Sequence, residues 1–302
     1  LPGFATFRIF FLFPIIAIRK KATHFIEPAH FGPFNLPRRI QRITVIHDLT
    51  PILFPQWHTF NSWFLQKRFL PGILRRVDTI ITVSHHSKQD IEEYVPSAKG
   101  KVQVLYPGLA AKFYSVVLQT RNQESNTILY VGTLEPRKNV TTLIKAFDIL
   151  KTQKAYAQYQ LHLIGSRGWK NEAMDKALTE SPNRSDIIFK GYVTSQELIE
   201  AYAQCQVFVY PSLYEGFGFP IIEALACGAK VVTSNRGSLG EIGSNYVTRV
   251  KEITDPKALQ KGIMESLAPD QTNPVERRNY ALQFNWQKMA QSFLALLRDN
   301  TL

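Results

Sequence analysis

The chain has 302 residues, 45% hydrophobic and 12% aromatic, enough apolar side chain for two packed domains of ordinary size and too much for a disordered protein. A formal charge of +12 calls for anionic partners, whether nucleotide diphosphates, acidic lipid headgroups or nucleic acid. The basic clusters Arg19-Lys20-Lys21, Arg38-Arg39, Arg75-Arg76 and Arg277-Arg278 are short and scattered and accompany no nucleic-acid module, so nucleic acid is set aside as a partner.

Cys205 and Cys227 have neither zinc nor disulfide spacing, and the seven histidines show no metal pattern, so no metal is expected and a reducing cytoplasm is favoured. The run Ile9 to Ile18 contains Pro14 and leads into Arg19-Lys20-Lys21; it is too short to span a bilayer and suits a buried or interfacial helix. With Arg19-Lys20-Lys21 behind the apolar run and no small-residue cleavage site after it, a signal peptide is not expected here. The chain opens at Leu1, and its natural start is expected to lie upstream.

Strand-like and helix-like runs then alternate, the pattern of parallel sheets wrapped by helices. Ile43 to His47, Thr79 to Val83 and Val102 to Leu105 read as strands, His58 to Arg76 and Ser87 to Tyr94 as helices, with Ser84 as a helix cap. The polar stretch Gln119 to Asn126 marks a domain boundary, giving domains 1–120 and 121–302. Strands follow at Ile128 to Val131, Gln160 to Ile164, Asp186 to Phe189, Gln206 to Tyr210 and Ala229 to Thr233. Helices are expected at Val140 to Leu150, Ser195 to Ala203, Pro256 to Leu267 and Pro274 to Leu297, the last packing back on the first domain.

Two loops between strand and helix carry chemistry. In Tyr210 to Gly228, Pro220 suits a helix start and Gly228 a stop, with Glu215 in the loop and Glu223 in the first turn. Unpaired N–H groups there, with Gly216 and Gly218 allowing close backbone approach, favour a bound phosphate; the two carboxylates would accept from neutral hydroxyls such as those of a ribose or sugar. A carboxylate that merely complements the helix dipole would read the same way. In Gly132-Thr133-Leu134-Glu135-Pro136-Arg137-Lys138-Asn139, Asn139 is placed as an N-cap behind two cations suited to a diphosphate, although such a pair is often only a solvated surface feature. Ligands of open parallel sheets bind beyond the strands' C-terminal ends, so these two loops should face one crevice. His47-Asp48 also ends a strand, where an anchoring histidine and a catalytic one look alike.

With Glu215 and Glu223 in an E-x7-E pattern, Gly132 to Asn139, Gly165, Phe189-Lys190-Gly191-Tyr192-Val193 and His47-Asp48, the chain resembles the retaining GT-B glycosyltransferases of group 1, also called family four, from about residue 24 onward. The resemblance implies an α/β GT-B fold, two Rossmann-like domains with parallel sheets facing a cleft, and transfer of a hexose such as mannose from a nucleotide-diphosphate sugar to a saccharide or lipid-linked acceptor, with retention and without a cofactor or metal. Carried over by position, Arg137 and Lys138 hold the diphosphate, Glu223 the ribose and Glu215 the donor sugar. Gly132 and the backbone of Gly216, Phe217 and Gly218 approach donor or phosphate, Tyr192 and Val193 border the base, and His47 lies near the sugar from the acceptor side. The leaving diphosphate takes part in deprotonating the acceptor, so Glu215 and Glu223 are not the acid and base of a glycoside hydrolase. Members usually begin with a strand and a glycine-rich loop, a pattern not found before His47, so the first domain is expected to be incomplete with an exposed sheet edge. A non-catalytic nucleotide-sugar-binding module is the rival reading, and a hydrolytic or phosphorylase enzyme on the same architecture a third. Peripheral contact with an anionic membrane, on its inner face, is expected through Ile9 to Lys21.

Overall fold

The computed structural model describes residues 7–28, 30–32, 35–118, 125–269 and 273–299, in two compact units, Leu1–Pro107 with Trp286–Leu302 and Gly108–Asn285. The chain passes from the first to the second at Pro107–Gly108, upstream of the polar stretch, because Phe113 is already buried in the second unit. Residues 119–124 of that stretch lie outside the described residues.

The first unit is built on a four-stranded parallel sheet in the order β1-β2-β3-β4, with β1 at His24–Glu27, β2 at Gln41–Ile46, β3 at Thr79–Thr82 and β4 at Val102–Val104. The period of two in the strands sorts side chains to opposite faces. Ile46 and Ile80 meet Leu70, Ile73 and Leu74 of the helix Phe60–Arg76, while Ile43 and Ile81 meet Met289, Phe293 and Leu297 of the helix Trp286–Asp299. Thr59 and Ser84 cap the helices Phe60–Arg76 and His85–Tyr94 by accepting from Ser62 N–H and Ser87 N–H. β1 has no counterpart among the expected strands: with His24 and Glu27 at its ends, only Phe25 and Ile26 carry a strand signal.

The second unit has six parallel strands: β5 at Thr127–Val131, β6 at Gln160–Ile164, β7 at Ile187–Gly191, β8 at Val207–Tyr210, β9 at Val231–Ser234 and β10 at Thr248–Val250. Their order, β10-β9-β8-β5-β6-β7, is that of a doubly wound dinucleotide-type sheet: the chain builds outward from β5 in one direction, then returns to β8 and builds the other way. In sheets of this order ligands bind beyond the C-terminal ends of the strands at the point of reversal, here the β5/β8 edge. Beneath it, Tyr130, Phe147, Phe208, Tyr210 and Ile222 are fully or almost fully buried.

Three expectations change. Gly218 at φ +103° is the N-cap and the helix runs Phe219–Ala226, so Glu223 is its fifth residue and lies past the first turn. Asn139 occupies the cap position of the helix Val140–Lys151 in the left-handed region and makes no side-chain capping bond; its Oδ1 accepts from Thr142 Oγ1 (2.6 Å) and its Nδ2 donates to Ile253 O (2.9 Å). The C-terminal helical stretch is two helices, Pro274–Ala281 and Trp286–Asp299, because 282–285 leave helical geometry where Phe284 turns into the core. Among the described residues no helix is long and apolar enough to cross a membrane.

Candidate active site

Backbone packing first brings the loops together. Gly132 and Gly165, at the ends of β5 and β6, have φ of +151° and +138°, and a Cβ on Gly165 would stand 2.1 Å from Gly132 O. Leu134 N–H donates to Ser166 O, and Leu213 N–H, beyond β8, donates to Arg137 O (2.8 Å). The β8 loop is held in turn by the β9 loop: Ser238 Oγ donates to Glu215 O (2.9 Å) and Phe217 O (2.7 Å), and Gly237, φ +58°, lies so close that a Cβ would be 2.9 Å from Glu215 O.

On this scaffold Arg137, Lys138 and Glu215 form one buried network. Lys138 Nζ donates to Glu215 Oε1 (2.5 Å) and to the Tyr210 hydroxyl (2.7 Å). Arg137 Nη1 donates to Glu215 Oε2 (2.6 Å) and Tyr214 O (2.8 Å), and its Nη2 to Glu135 Oε1 (2.7 Å). Ser212 Oγ (2.6 Å) and Tyr210 OH (2.9 Å) complete the donors to Glu215 Oε1. Burial works to raise the Glu215 carboxyl, but Lys138 and Arg137 outweigh it and bring its pKa down to about 2. Two cations and two carboxylates, Glu135 included, thus meet at the β5/β8 switch point, with both Glu215 oxygens engaged by the cations.

Sequence reasoning missed Glu135, which is 6% exposed, and the partners Ser212, Gly237 and Ser238. Glu135 and Ser212 lie inside motifs it quoted; Gly237 and Ser238 follow the C-terminal end of β9, the one signal that could have found them.

The other expected residues lie around this network rather than in it. Glu223 is half-buried and accepts from Tyr202 OH (3.2 Å); burial pushes its carboxyl up, with Tyr202 and Lys112 opposing. Gly216, Phe217 and Gly218 connect it to Glu215, Phe217 packing edge-on against Phe219 and Phe284. Tyr192 and Val193 form the turn after β7, with Tyr192 92% exposed.

In the first unit, His47 follows β2. Its N–H donates to His30 Nε2 (2.9 Å), its own Nε2 donates to Pro28 O (3.2 Å), and its carbonyl accepts from Ser87 Oγ (3.3 Å). Burial brings His30 down to about pKa 4 despite Asp48, so its imidazole is neutral at neutral pH and free to accept that N–H. Asp48 accepts from the Thr50 N–H and hydroxyl. Among the described residues no group of three His, Cys, Asp or Glu could hold a metal ion.

Two all-parallel Rossmann-like units, one carrying paired cations and an ionised carboxylate on the two loops of its switch point, have the architecture of a GT-B glycosyltransferase. Comparison with known proteins makes the assignment definite: residues 118–282 match the family model for glycosyl transferases group 1 and residues 17–112 that for glycosyltransferase family 4, and the chain belongs to the group 1 family. It is 31% identical over 271 residues to O-antigen chain mannosyltransferase B of Escherichia coli, covering 85% of this chain and 71% of that protein. To a serotype-specific mannosyltransferase WbdA of the same species it is 27% identical over 285 residues, spanning 85% of this chain and only 34% of that longer protein. A sucrose-phosphate synthase from Thermosynechococcus elongatus shares the fold, with a TM-score of 0.73 and 22% identity over 95% of this chain and 76% of that one. The protein is a glycosyltransferase with mannosyltransferase homologues.

Proposed function

We propose that this enzyme moves a hexose, mannose first among the candidates, from a nucleotide-diphosphate sugar to a saccharide or lipid-linked acceptor, with retention of anomeric configuration and without a metal. The observation that carries the reading is the convergence of Arg137 and Lys138 on Glu215 where β5 and β8 diverge. Negative charge grows on the diphosphate as the glycosidic bond breaks, and preorganised cations in a water-poor site stabilise that charge most. Arg137 offers two N–H donors in a fixed plane and Lys138 a point charge, so the pair holds the diphosphate, and each can turn from Glu215 toward it. Glu215, kept ionised, accepts from donor-sugar hydroxyls as the cations turn away. Glu223 accepts from the ribose, Tyr192 and Val193 border the base, and Gly132 and the backbone of Gly216 to Gly218 let the ligand lie close.

With no nearby group assigned as nucleophile, catalysis consists of positioning and charge stabilisation, and the leaving diphosphate takes the acceptor's proton on the same face. His47 is assigned to the acceptor side. Mannose is favoured because the chain's curated relatives include named mannosyltransferases. The reading also includes a cytoplasmic location with peripheral contact to an anionic membrane.

Calorimetric titration with GDP-, UDP- and TDP-sugars tests the donor assignment: one should bind, and Arg137→Ala with Lys138→Ala should abolish binding. Retained affinity in the double variant would remove both residues from the donor site. Added chelator should leave transfer unchanged; a loss restored by a divalent cation would refute the metal-free reading.

A further inference from the structure

The first unit holds a cavity of about 660 Å³ at the opposite end of its sheet from His47. Arg42 sits near the start of β2, and Arg75 and Arg76 end the helix that leads to β3, so the cavity opens at the strands' N-terminal ends. Its lining includes four arginines, Arg42, Arg68, Arg75 and Arg76, with Phe10 and Phe69, and among the described residues no carboxylate. Asp78 holds Arg42 through Nε (3.0 Å) and Nη2 (2.8 Å), whereas Arg68, Arg75 and Arg76 are exposed.

Cations at a helix C-terminus offset its dipole, which accounts for Arg75 and Arg76 but for neither Arg68 nor the phenylalanines. The rest of the helix supplies the missing reason. Two rows run along its exposed side, Phe60, Phe64, Arg68 and Arg75 at spacings of four and seven, and Leu65, Phe69 and Arg76 at spacings of four and seven. Phe10, which lines the cavity from the N-terminal segment, belongs to a second stretch with Phe11, Ile15, Ile16 and Ile18 exposed. Residues 7–21 and 60–76 together hold eight cations and no Asp or Glu. Guanidinium groups interleaved with exposed aromatics suit an anion that lies at the boundary of an apolar phase.

We propose that this cavity is a headgroup site for an anionic membrane phospholipid, the lipid phosphate being bound by Arg68, Arg75 and Arg76 while Phe60, Phe64 and Phe69 enter the interface. The proposal rests on the membrane-contact reading above and adds a defined site to it; its volume is that of a small-molecule pocket. A phosphate in solution would satisfy the arginines but leave the apolar rim exposed, which favours the lipid.

Flotation of the full chain with phosphatidylcholine vesicles, with and without phosphatidylglycerol, tests it. The wild type should float with the anionic vesicles and much less with the neutral ones. Arg68→Gln/Arg75→Gln/Arg76→Gln should weaken that binding by about a hundredfold at low salt, and Arg68→Gln alone by about fivefold, with unchanged circular dichroism. Lys154→Gln/Lys176→Gln, in the second unit, should bind as the wild type does. Equal flotation with both vesicle types, or equal loss in both multiple variants, would overturn the headgroup site while leaving membrane contact standing. Flotation with neither would overturn both. Saturable binding of inorganic phosphate that the arginine variants abolish, with vesicle binding unchanged, would reassign the cavity to a free anion.

Discussion

Glu135 and Glu215 together neutralise the two cations assigned to the donor, and their removal has a definite sign. Glu135→Gln keeps an acceptor for Arg137 Nη2 but gives the network a net positive charge. Donor affinity should rise several-fold, while stability falls by about 1.5–3 kcal/mol as the hydrogen bond from Arg137 loses its charged acceptor; calorimetric titration and thermal melts read the two effects, and weaker binding would contradict the assignment. The two E-x7-E glutamates should answer pH in opposite senses. Glu215, depressed to about 2, contributes stability that is present above its ordinary 4.5 and lost as pH falls through 2. Glu223 is raised, so its charged form opposes folding: its contribution is present at acid pH and lost as pH rises through the raised value. Glu223→Gln should therefore melt higher than wild type at neutral pH, converge with it in acid, and bind donor more weakly. A variant that melts lower at neutral pH would show Glu223 to be structural.

Loop crossings and caps govern the elements. Gly165→Ala would drive a Cβ into Gly132 O at φ +138°, so it should cost at least about 2 kcal/mol and displace the loop that carries Arg137. Gly191→Ala is the matched control: its φ is +64° but nothing lies within 4 Å of the added carbon, and the cost should be about 1 kcal/mol. Chemical denaturation of the two variants tests the contrast, and equal losses would refute the crossing. Thr194 and Glu197 make a reciprocal capping box on the helix Ser195–Gln204, so Thr194→Ala should cost about 1 kcal/mol without changing donor affinity. Strands such as Gln160–Ile164 and helices such as Pro256–Leu267 were legible because their periods and end signals are local. β1 and β10 were not, since His24 and Glu27 bound the one and Arg249 interrupts the other, and Asn139, although at the N-cap position, makes no capping bond because its Oδ1 accepts from the Thr142 hydroxyl.

In the whole molecule, the chain's last helix belongs to the first unit, where Met289, Phe293 and Leu297 cover Ile43, Ile81 and Leu105. Ending the chain at Asn285 should uncover that face of the sheet, melt the first unit separately at lower temperature, and leave the second unit's transition in place. A single unshifted calorimetric transition would contradict this.

The local pattern of this sequence determined that strands and helices alternate, that two loops after strands carry Arg137-Lys138 and Glu215, and that a helix opens close to Pro220. These follow from short-range sterics, capping and hydrophobic period, which are properties of neighbouring residues. Only the tertiary structure decided that Glu215 binds both cations, that Glu135 joins them and that Glu223 turns instead to Tyr202. Those pairings depend on the sheet order β8-β5, which sets residues 72 to 78 apart in sequence within hydrogen-bond reach and buries them where an unpaired charge would be too costly to keep.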